Sequence, residues 1–124
     1  MSSTTEPARA QPSFVLSHPR PRHETQVMDG MCRIPRLDLM RGGHLDDVEI
    51  SWRLVGPSRG PVVAVLGGIS ADKTVATTDD HRGWWSGLIG PGRAVDTGRY
   101  RVLSFDWLGG SGGSLAWIPS SLYM

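Results

Sequence analysis

Two adjacent glycines, Gly67 and Gly68, are the residues whose type and placement best suit chemistry. They follow a short apolar run at residues 62–66, which Gly60 and Pro61 precede. A buried strand that ends in a glycine pair places backbone N–H groups at its carboxyl end, where open α/β sheets bind their ligands. Glycines let the backbone approach a bound group closely, and their amides could donate to a developing oxyanion. The alternative interpretation is a tight turn with no chemistry.

A second candidate is Ser111, because residues 109–113 match the G-x-S-x-G motif of a nucleophile elbow. That motif needs a strand directly before it and a helix directly after it. Here residues 106–108 separate it from the nearest predicted strand, and Pro119 would break a helix soon afterwards. Since glycine–serine runs also match the motif by chance, we interpret this segment as a loop.

The remaining polar residues suggest neither a metal site nor a bound cofactor. Asp79, Asp80 and His81 could be drawn as metal ligands, but adjacent residues rarely converge on one ion. The single cysteine, Cys32, excludes an internal disulfide and favours a reducing compartment. We therefore expect no metal ligands in this chain.

The hydrophobic pattern predicts the strands that must hold these groups. Residues 48–54 alternate Val, Ile, Trp and Leu with polar residues, which indicates a strand with one buried and one wet face. With a short strand at 37–40 and a turn at 41–43, it forms a predicted antiparallel hairpin. Residues 62–66 show no alternation and predict a parallel strand covered on both faces. Residues 100–105 predict a second inner strand.

Composition limits the class of protein. The chain has 124 residues, a net charge of +1, 16 glycines and 9 prolines, which suits a small loop-rich domain or part of a larger one. Charges of both signs are mixed without a basic stripe, which argues against nucleic acid and membrane surfaces as partners. No apolar stretch approaches the ~20 residues of a transmembrane helix, and no hydrophobic signal region follows the N-terminus. We expect a cytoplasmic protein.

Four segments together resemble one family, the homoserine O-acyltransferases of the α/β-hydrolase superfamily. The first is residues 41–50, a glycine turn followed by Leu-Asp-Asp and an alternating strand. The second is residues 62–69. The third and most specific runs through residues 83–97 as Gly-Trp-Trp, Gly-Pro-Gly and Asp-Thr, in the family's order and at similar spacing. The fourth, residues 108–114, resembles the loop upstream of the family's nucleophile, which also argues against Ser111.

The resemblance implies an α/β fold, namely the amino-terminal portion of an α/β-hydrolase fold with an antiparallel hairpin followed by inner sheet strands. It implies acyl transfer from acetyl-CoA or succinyl-CoA to the homoserine hydroxyl in methionine biosynthesis, through a serine acyl-enzyme. The implied partners are these small molecules and, for the full-length enzyme, a second copy in a homodimer. One catalytic role falls on this chain: the Gly68 amide as an oxyanion donor, with Gly67 and Ile69 as alternatives.

The family's nucleophile and base lie later in a longer chain, so we expect this one to be a fragment that is inactive alone. We predict a disordered polar tail at 1–33, part of the hydrolase domain at 34–114, and a divergent or truncated end at 115–124. The family carries Thr-Gly-Pro after the glycine that Ser114 follows here. Two alternatives stay open: a serine O-acyltransferase or hydrolase of the same fold, and a non-catalytic remnant or small interaction protein.

Overall fold

Seven strands lie within residues 24–117, the part of the chain that this computed structural model describes. Their bounds are β1 Gln26–Asp38, β2 His44–Gly56, β3 Val62–Ala64, β4 Ile89–Gly90, β5 Val95–Asp96, β6 Arg101–Phe105 and β7 Leu115–Trp117. Four of them form a sheet in the order β1-β2-β6-β3, and β7 also pairs with β2. β4 and β5 form a separate two-stranded parallel sheet. Within the described range, no helix is long and apolar enough to cross a membrane.

The predicted hairpin is present, and its turn depends on two glycines. β1 and β2 pair antiparallel, from Gln26 opposite Gly56 to Asp38 opposite His44. The turn between them is closed by a hydrogen bond from the Gly42 N–H to the Leu39 carbonyl at 3.0 Å. Gly42 and Gly43 have φ angles of 92° and 80°, a region that side chains disfavour.

The predicted boundary of the disordered tail at residue 33 is wrong, because β1 begins at Gln26. None of residues 26–33 is buried, so no hydrophobic pattern predicted a strand there. Their order comes from pairing with β2 and from the ion pair of Asp29 with Arg53, whose nitrogen and oxygen lie 2.8 Å apart. Residues 1–23 of the predicted tail and 118–124 of the predicted end lie outside the described residues.

β6 is an inner strand of the sheet, between β2 and β3, as predicted for residues 100–105. It pairs antiparallel with β2, from Trp52 opposite Phe105 to Val55 opposite Val102. It pairs parallel with β3, which begins at Val62 opposite Arg101. The parallel relation predicted for residues 62–66 is therefore correct, and the connection of residues 65–100 carries the chain from β3 to β6.

The prediction that residues 62–66 form a strand covered on both faces is wrong. β3 is only three residues long and lies at the edge of the described sheet, with β6 as its one partner there. Val65 is buried, but Val62 is 47% exposed and Leu66 is 56% exposed. Since side chains alternate along a strand, one face of β3 packs inward while the other lies open among the described residues.

The buried core lies on the face of the sheet opposite to the one predicted from β2. The alternation placed Ser51 on the wet face and did not include Val55, yet both residues are buried. Of the residues that the alternation placed inside, Val48 is fully buried, whereas Ile50, Trp52 and Leu54 are only half-buried. The reason is that the connection from β3 to β6 folds over the other face. The core cluster joins strand residues to residues of that connection: Val55, Val65, Val75, Ala76, Ile89 and Val102.

Candidate active site

The candidate site is the glycine loop, residues 67–73, which follows the carboxyl end of β3. Because β3 and β6 run parallel, the loops that follow them leave the sheet at the same edge. The Val65 N–H donates to the Leu103 carbonyl at 2.8 Å, which extends the pairing almost to the glycines. A Cβ atom on Gly110 would lie 2.9 Å from the Ile69 carbonyl oxygen. The glycine loop and the loop that contains Ser111 are therefore neighbours.

Gly67 and Gly68 have different surroundings. A side chain on Gly67 would overlap Ala71 and would lie 2.9 Å from the Trp84 ring, so this position is packed. A Cβ atom on Gly68 would meet nothing within 4 Å, and Gly68 is exposed. Among residues 24–117, none accepts a hydrogen bond from the Gly68 N–H. That N–H is therefore available to a bound group, as an oxyanion donor must be.

The N–H groups of the two alternative donors, Gly67 and Ile69, also have no acceptor among residues 24–117. Ile69 is 64% exposed, and its preceding peptide is oriented by a hydrogen bond from the Ala71 N–H to the Gly68 carbonyl at 2.8 Å. The Gly67 carbonyl accepts a hydrogen bond from Nε1 of Trp107 at 2.9 Å. The structure thus brings all three predicted site residues together in one loop, and the carbonyls of Gly67 and Gly68 are both held.

The far end of the glycine loop is fixed by Asp106, a residue that the sequence did not single out. One carboxylate oxygen of Asp106 accepts from the Lys73 N–H at 2.7 Å, and the other accepts from the Gly113 N–H at 2.8 Å. Asp106 is only 3% exposed. Ser104 adds a hydrogen bond from its hydroxyl to the Lys73 carbonyl at 2.5 Å. Because both oxygens of Asp106 serve backbone amides, its role is to join the two loops.

Ser114 continues the same connection into the sheet. Its hydroxyl donates to the Asp106 carbonyl at 2.6 Å and accepts from the Ser51 N–H at 3.0 Å. Only one signal in the sequence could have identified this network: Asp106 follows an inner strand directly, where buried polar residues often lie.

A charged cluster adjoins the end of the glycine loop at Lys73. Arg53 donates to both carboxylate oxygens of Asp29, at 2.8 and 2.9 Å. Nζ of Lys73 donates to the Ser51 hydroxyl at 2.6 Å and lies 3.7 Å from Asp29. The hydrogen bond from Arg53 lowers the pKa of Asp29 below its ordinary value. These groups are already paired with one another, so the cluster supports the loop and the sheet.

Ser111 does not have the surroundings of an elbow nucleophile. The motif is followed by strand β7 where an elbow needs a helix, and residues 106–108 separate it from β6. Ser111 itself is exposed. Among residues 24–117, no three His, Cys, Asp or Glu side chains come together in a way that could hold a metal ion.

The residues of the Gly-Trp-Trp, Gly-Pro-Gly and Asp-Thr signature have structural roles. A side chain on Gly83 would overlap the backbone of Val75 and Ala76, so the chain passes close there. The Trp84 indole donates to the Asp72 carbonyl at 2.9 Å, and its ring stacks on Trp85 with centroids 5.5 Å apart. This part of the signature therefore packs against the glycine loop.

Asp96 organises the turn that ends the signature. Its carboxylate accepts from the Gly92 N–H at 3.0 Å and from the Gly98 N–H at 2.8 Å. These two backbone hydrogen bonds lower the pKa of Asp96. The turn leads directly into β6.

Comparison with known proteins identifies similar enzymes. No protein-family model matches the sequence. A homoserine O-succinyltransferase of Nocardioides sp. is 40% identical over 84 residues, which cover 63% of this chain and 23% of that protein. A homoserine O-acetyltransferase of Mycobacterium sp. strain KMS is 40% identical over 106 residues, which cover 80% of this chain and 27% of that protein. The chain thus spans about a quarter of the length of these curated relatives.

Solved structures agree with this similarity. The homoserine O-acetyltransferase of Bacillus anthracis matches with a TM-score of 0.57 and 28% identity, over 64% of this chain and 23% of that one. The homoserine O-acetyltransferase of Staphylococcus aureus matches with a TM-score of 0.64 and 24% identity, over 80% of this chain and 29% of that one. At this identity the match supports the fold alone. The predicted similarity to homoserine O-acyltransferases is therefore confirmed, and the described residues form the opening hairpin and inner strands of an α/β-hydrolase fold.

Proposed function

We propose that this chain supplies one oxyanion donor to a homoserine O-acyltransferase of methionine biosynthesis. The acyl group would pass from acetyl-CoA or succinyl-CoA to a serine, and then to the hydroxyl of homoserine. One observation carries the proposal: Gly68 is an exposed residue after the carboxyl end of β3, and its N–H has no acceptor within residues 24–117. The similarity to acetyl- and succinyltransferases of homoserine supports the substrate class.

The chemistry assigned to Gly68 follows from how a thioester reacts. Attack on the thioester carbonyl converts its oxygen into an oxyanion, and a backbone N–H that points at this oxygen stabilises the intermediate. Gly67 and Ile69 are the alternative donors. Since Ser111 lacks the strand and helix of an elbow, we place the acyl-enzyme serine and its base outside residues 24–117, and we expect this chain alone to be inactive.

A hydrolase of the same fold is the second candidate function. The described residues also match the crystal structure of esterase E22, with a TM-score of 0.60 and 26% identity over 68% of this chain and 25% of that one. An oxyanion donor would serve ester hydrolysis equally well, because both reactions pass through a tetrahedral intermediate. The acceptor, water or an amino-acid hydroxyl such as homoserine or serine, distinguishes the two.

A chimera tests the proposal. The aligned segment of the Mycolicibacterium smegmatis homoserine O-acetyltransferase, which is 38% identical over 100 residues, is replaced by this chain's segment. Release of the coenzyme A thiol is followed with acetyl-CoA or succinyl-CoA, with and without homoserine or serine. We expect homoserine-dependent release from the chimera and none from the 124-residue chain alone.

Other outcomes assign other functions. Thiol release that needs no amino acid, or ester cleavage alone, would favour the hydrolase. Release that depends on serine would change the acceptor. A folded chimera without either activity would favour the non-catalytic alternative. A cytoplasmic location belongs to the same proposal, since the reaction uses coenzyme A thioesters. The similarity to homoserine O-acyltransferases also leads us to propose a homodimer for the full-length enzyme, which the mass of the folded chimera in solution tests.

A further inference from the structure

We propose that Trp107 is a positioning residue for the oxyanion site: its indole N–H holds the Gly67–Gly68 peptide so that the Gly68 N–H faces the open site. The inference rests on the proposed role of Gly68, but it assigns a separate residue on a separate loop. Trp107 follows β6, whereas the glycine loop follows β3.

The geometry of one peptide unit carries the inference. Nε1 of Trp107 donates to the Gly67 carbonyl oxygen at 2.9 Å. That carbonyl and the Gly68 N–H belong to the same planar trans peptide, so they point in opposite directions. A donor that fixes the carbonyl on one side therefore fixes the N–H on the other side, where none of residues 24–117 accepts a hydrogen bond from it.

Trp107 is itself held by contacts that do not involve the glycine loop. Its ring packs edge-to-face against Phe105, with centroids 5.3 Å apart and planes at 70°. Its carbonyl accepts from the Gly110 N–H at 2.9 Å, which closes the turn after β6. The indole is therefore placed by β6 and its turn, and it can act as a fixed reference for the more adaptable glycine pair.

The other hydrogen bonds of the glycine loop do not reach the Gly67–Gly68 peptide. The Trp84 indole reaches the Asp72 carbonyl, and Asp106 reaches the Lys73 N–H, both at the far end of the loop. The Ala71 N–H binds the Gly68 carbonyl and so orients the next peptide, which carries the Ile69 N–H. Trp107 thus controls the direction of the Gly68 N–H, whereas the Ala71 N–H controls the direction of the Ile69 N–H.

Glycines on both sides of a peptide let it rotate more freely than other residues would. One hydrogen bond favours the bonded orientation by roughly two- to tenfold in population. Loss of the indole donor should therefore leave the loop folded but its first peptide mobile. The Gly68 N–H would then point at the oxyanion for only part of the time.

Nuclear magnetic resonance of the isotopically labelled full chain tests the inference. In the unmodified protein we expect a scalar coupling across the hydrogen bond between the Trp107 indole nitrogen and the Gly67 carbonyl carbon. Trp107→Phe should lower the order parameter of the Gly68 amide from about 0.85 to below about 0.6. Trp85→Phe is the matched control, since Trp85 stacks on Trp84 and its side chain donates no hydrogen bond to residues 67–73, and it should leave the Gly68 amide rigid.

Two results would overturn the inference: no coupling in the unmodified chain, or a Gly68 amide as rigid in folded Trp107→Phe as before. If Trp107→Phe does not fold, benzothienylalanine at position 107 keeps the shape of tryptophan without its N–H, and the same expectation applies. These readouts need no activity, so they are independent of the proposed function.

In an active chimera, Trp107→Phe should lower kcat by roughly two- to tenfold with KM nearly unchanged. An unchanged kcat would refute the catalytic role.

Discussion

At the scale of single residues, Gly67 and Gly68 are of the same type but have different structural roles. Gly67 lies against Ala71 and the Trp84 ring, so its lack of a side chain is needed for packing. Gly68 has open space around it and no φ angle in the left-handed region, so nothing in the loop requires a glycine there. Its exposed N–H is the feature that function can use.

We therefore expect Gly67→Ala to destabilise the chain and Gly68→Ala to leave it almost unchanged. The added methyl at 67 must displace Ala71 or Trp84, and overpacking of this kind costs about 1–3 kcal/mol. At 68 the change should fall within about 0.5 kcal/mol, as for open surface sites. Urea unfolding of the two variants measures both. Equal effects at the two positions would contradict the packing difference.

A second prediction at this scale concerns pH and the pair of Asp29 with Arg53. The hydrogen bond from Arg53 lowers the pKa of Asp29 in the folded chain. The unfolded chain then binds this proton more readily than the folded chain does. The stability that the pair contributes is therefore fully present above the ordinary carboxylate pKa of about 3.9 and is lost as the pH falls through the lowered folded value.

Asp29→Asn isolates this contribution. We expect the difference in unfolding free energy between the unmodified chain and the variant to be largest near neutral pH. It should shrink below about pH 4, where the carboxylate of the unfolded chain becomes protonated before that of the folded chain. Urea titrations at several pH values measure it. A difference that does not depend on pH would show that the ion pair adds no stability.

At the scale of elements, the features that were predicted correctly are those that local sequence patterns determine. The glycine turn of the hairpin, the parallel pairing at 62–66 and the inner strand at 100–105 all follow from short-range signals. β1 was missed over residues 26–33 because it is ordered by pairing with β2, not by burial of its own side chains. Asp106 was missed because its partner Lys73 lies 33 residues away along the chain.

The corrected start of β1 can be tested through Gly30. Gly30 lies opposite Trp52 in the register, and a Cβ atom there would overlap the Trp52 ring. Gly30→Ala should therefore lower the unfolding free energy by about 1–3 kcal/mol. In a Trp52→Leu background the same change should cost clearly less, since the ring is gone. Additive effects in this double-mutant cycle would contradict the contact.

At the scale of the whole molecule, the described sheet has one covered and one uncovered apolar face. Met28, Leu54, Leu103 and Ala64 are register partners across β1, β2, β6 and β3, so they share a face. Met28 is 54% exposed, and Leu66 also lies exposed on this side. The connection of residues 65–100 covers the opposite face. Apolar residues on both faces are typical of inner strands in α/β folds.

An uncovered apolar face of this kind favours association. We expect the isolated chain to bind a hydrophobic dye and to form larger species as its concentration rises. Leu66→Ser, which changes an exposed side chain of this face, should reduce both effects. Sedimentation velocity with dye fluorescence measures them. A monomer without dye binding at every concentration would mean that this face is covered in solution.

The most direct test of the oxyanion assignment compares two changes at Gly68 in the acyltransferase chimera. Gly68→Pro removes the N–H, whereas Gly68→Ala keeps it at a position that has room for a methyl group. Loss of one oxyanion donor costs roughly 10²–10³ in kcat. We predict a loss of that size in folded Gly68→Pro, with a smaller change in KM, and near-normal kcat in Gly68→Ala. A folded proline variant that keeps its kcat would contradict the account and make Gly68 a turn residue only.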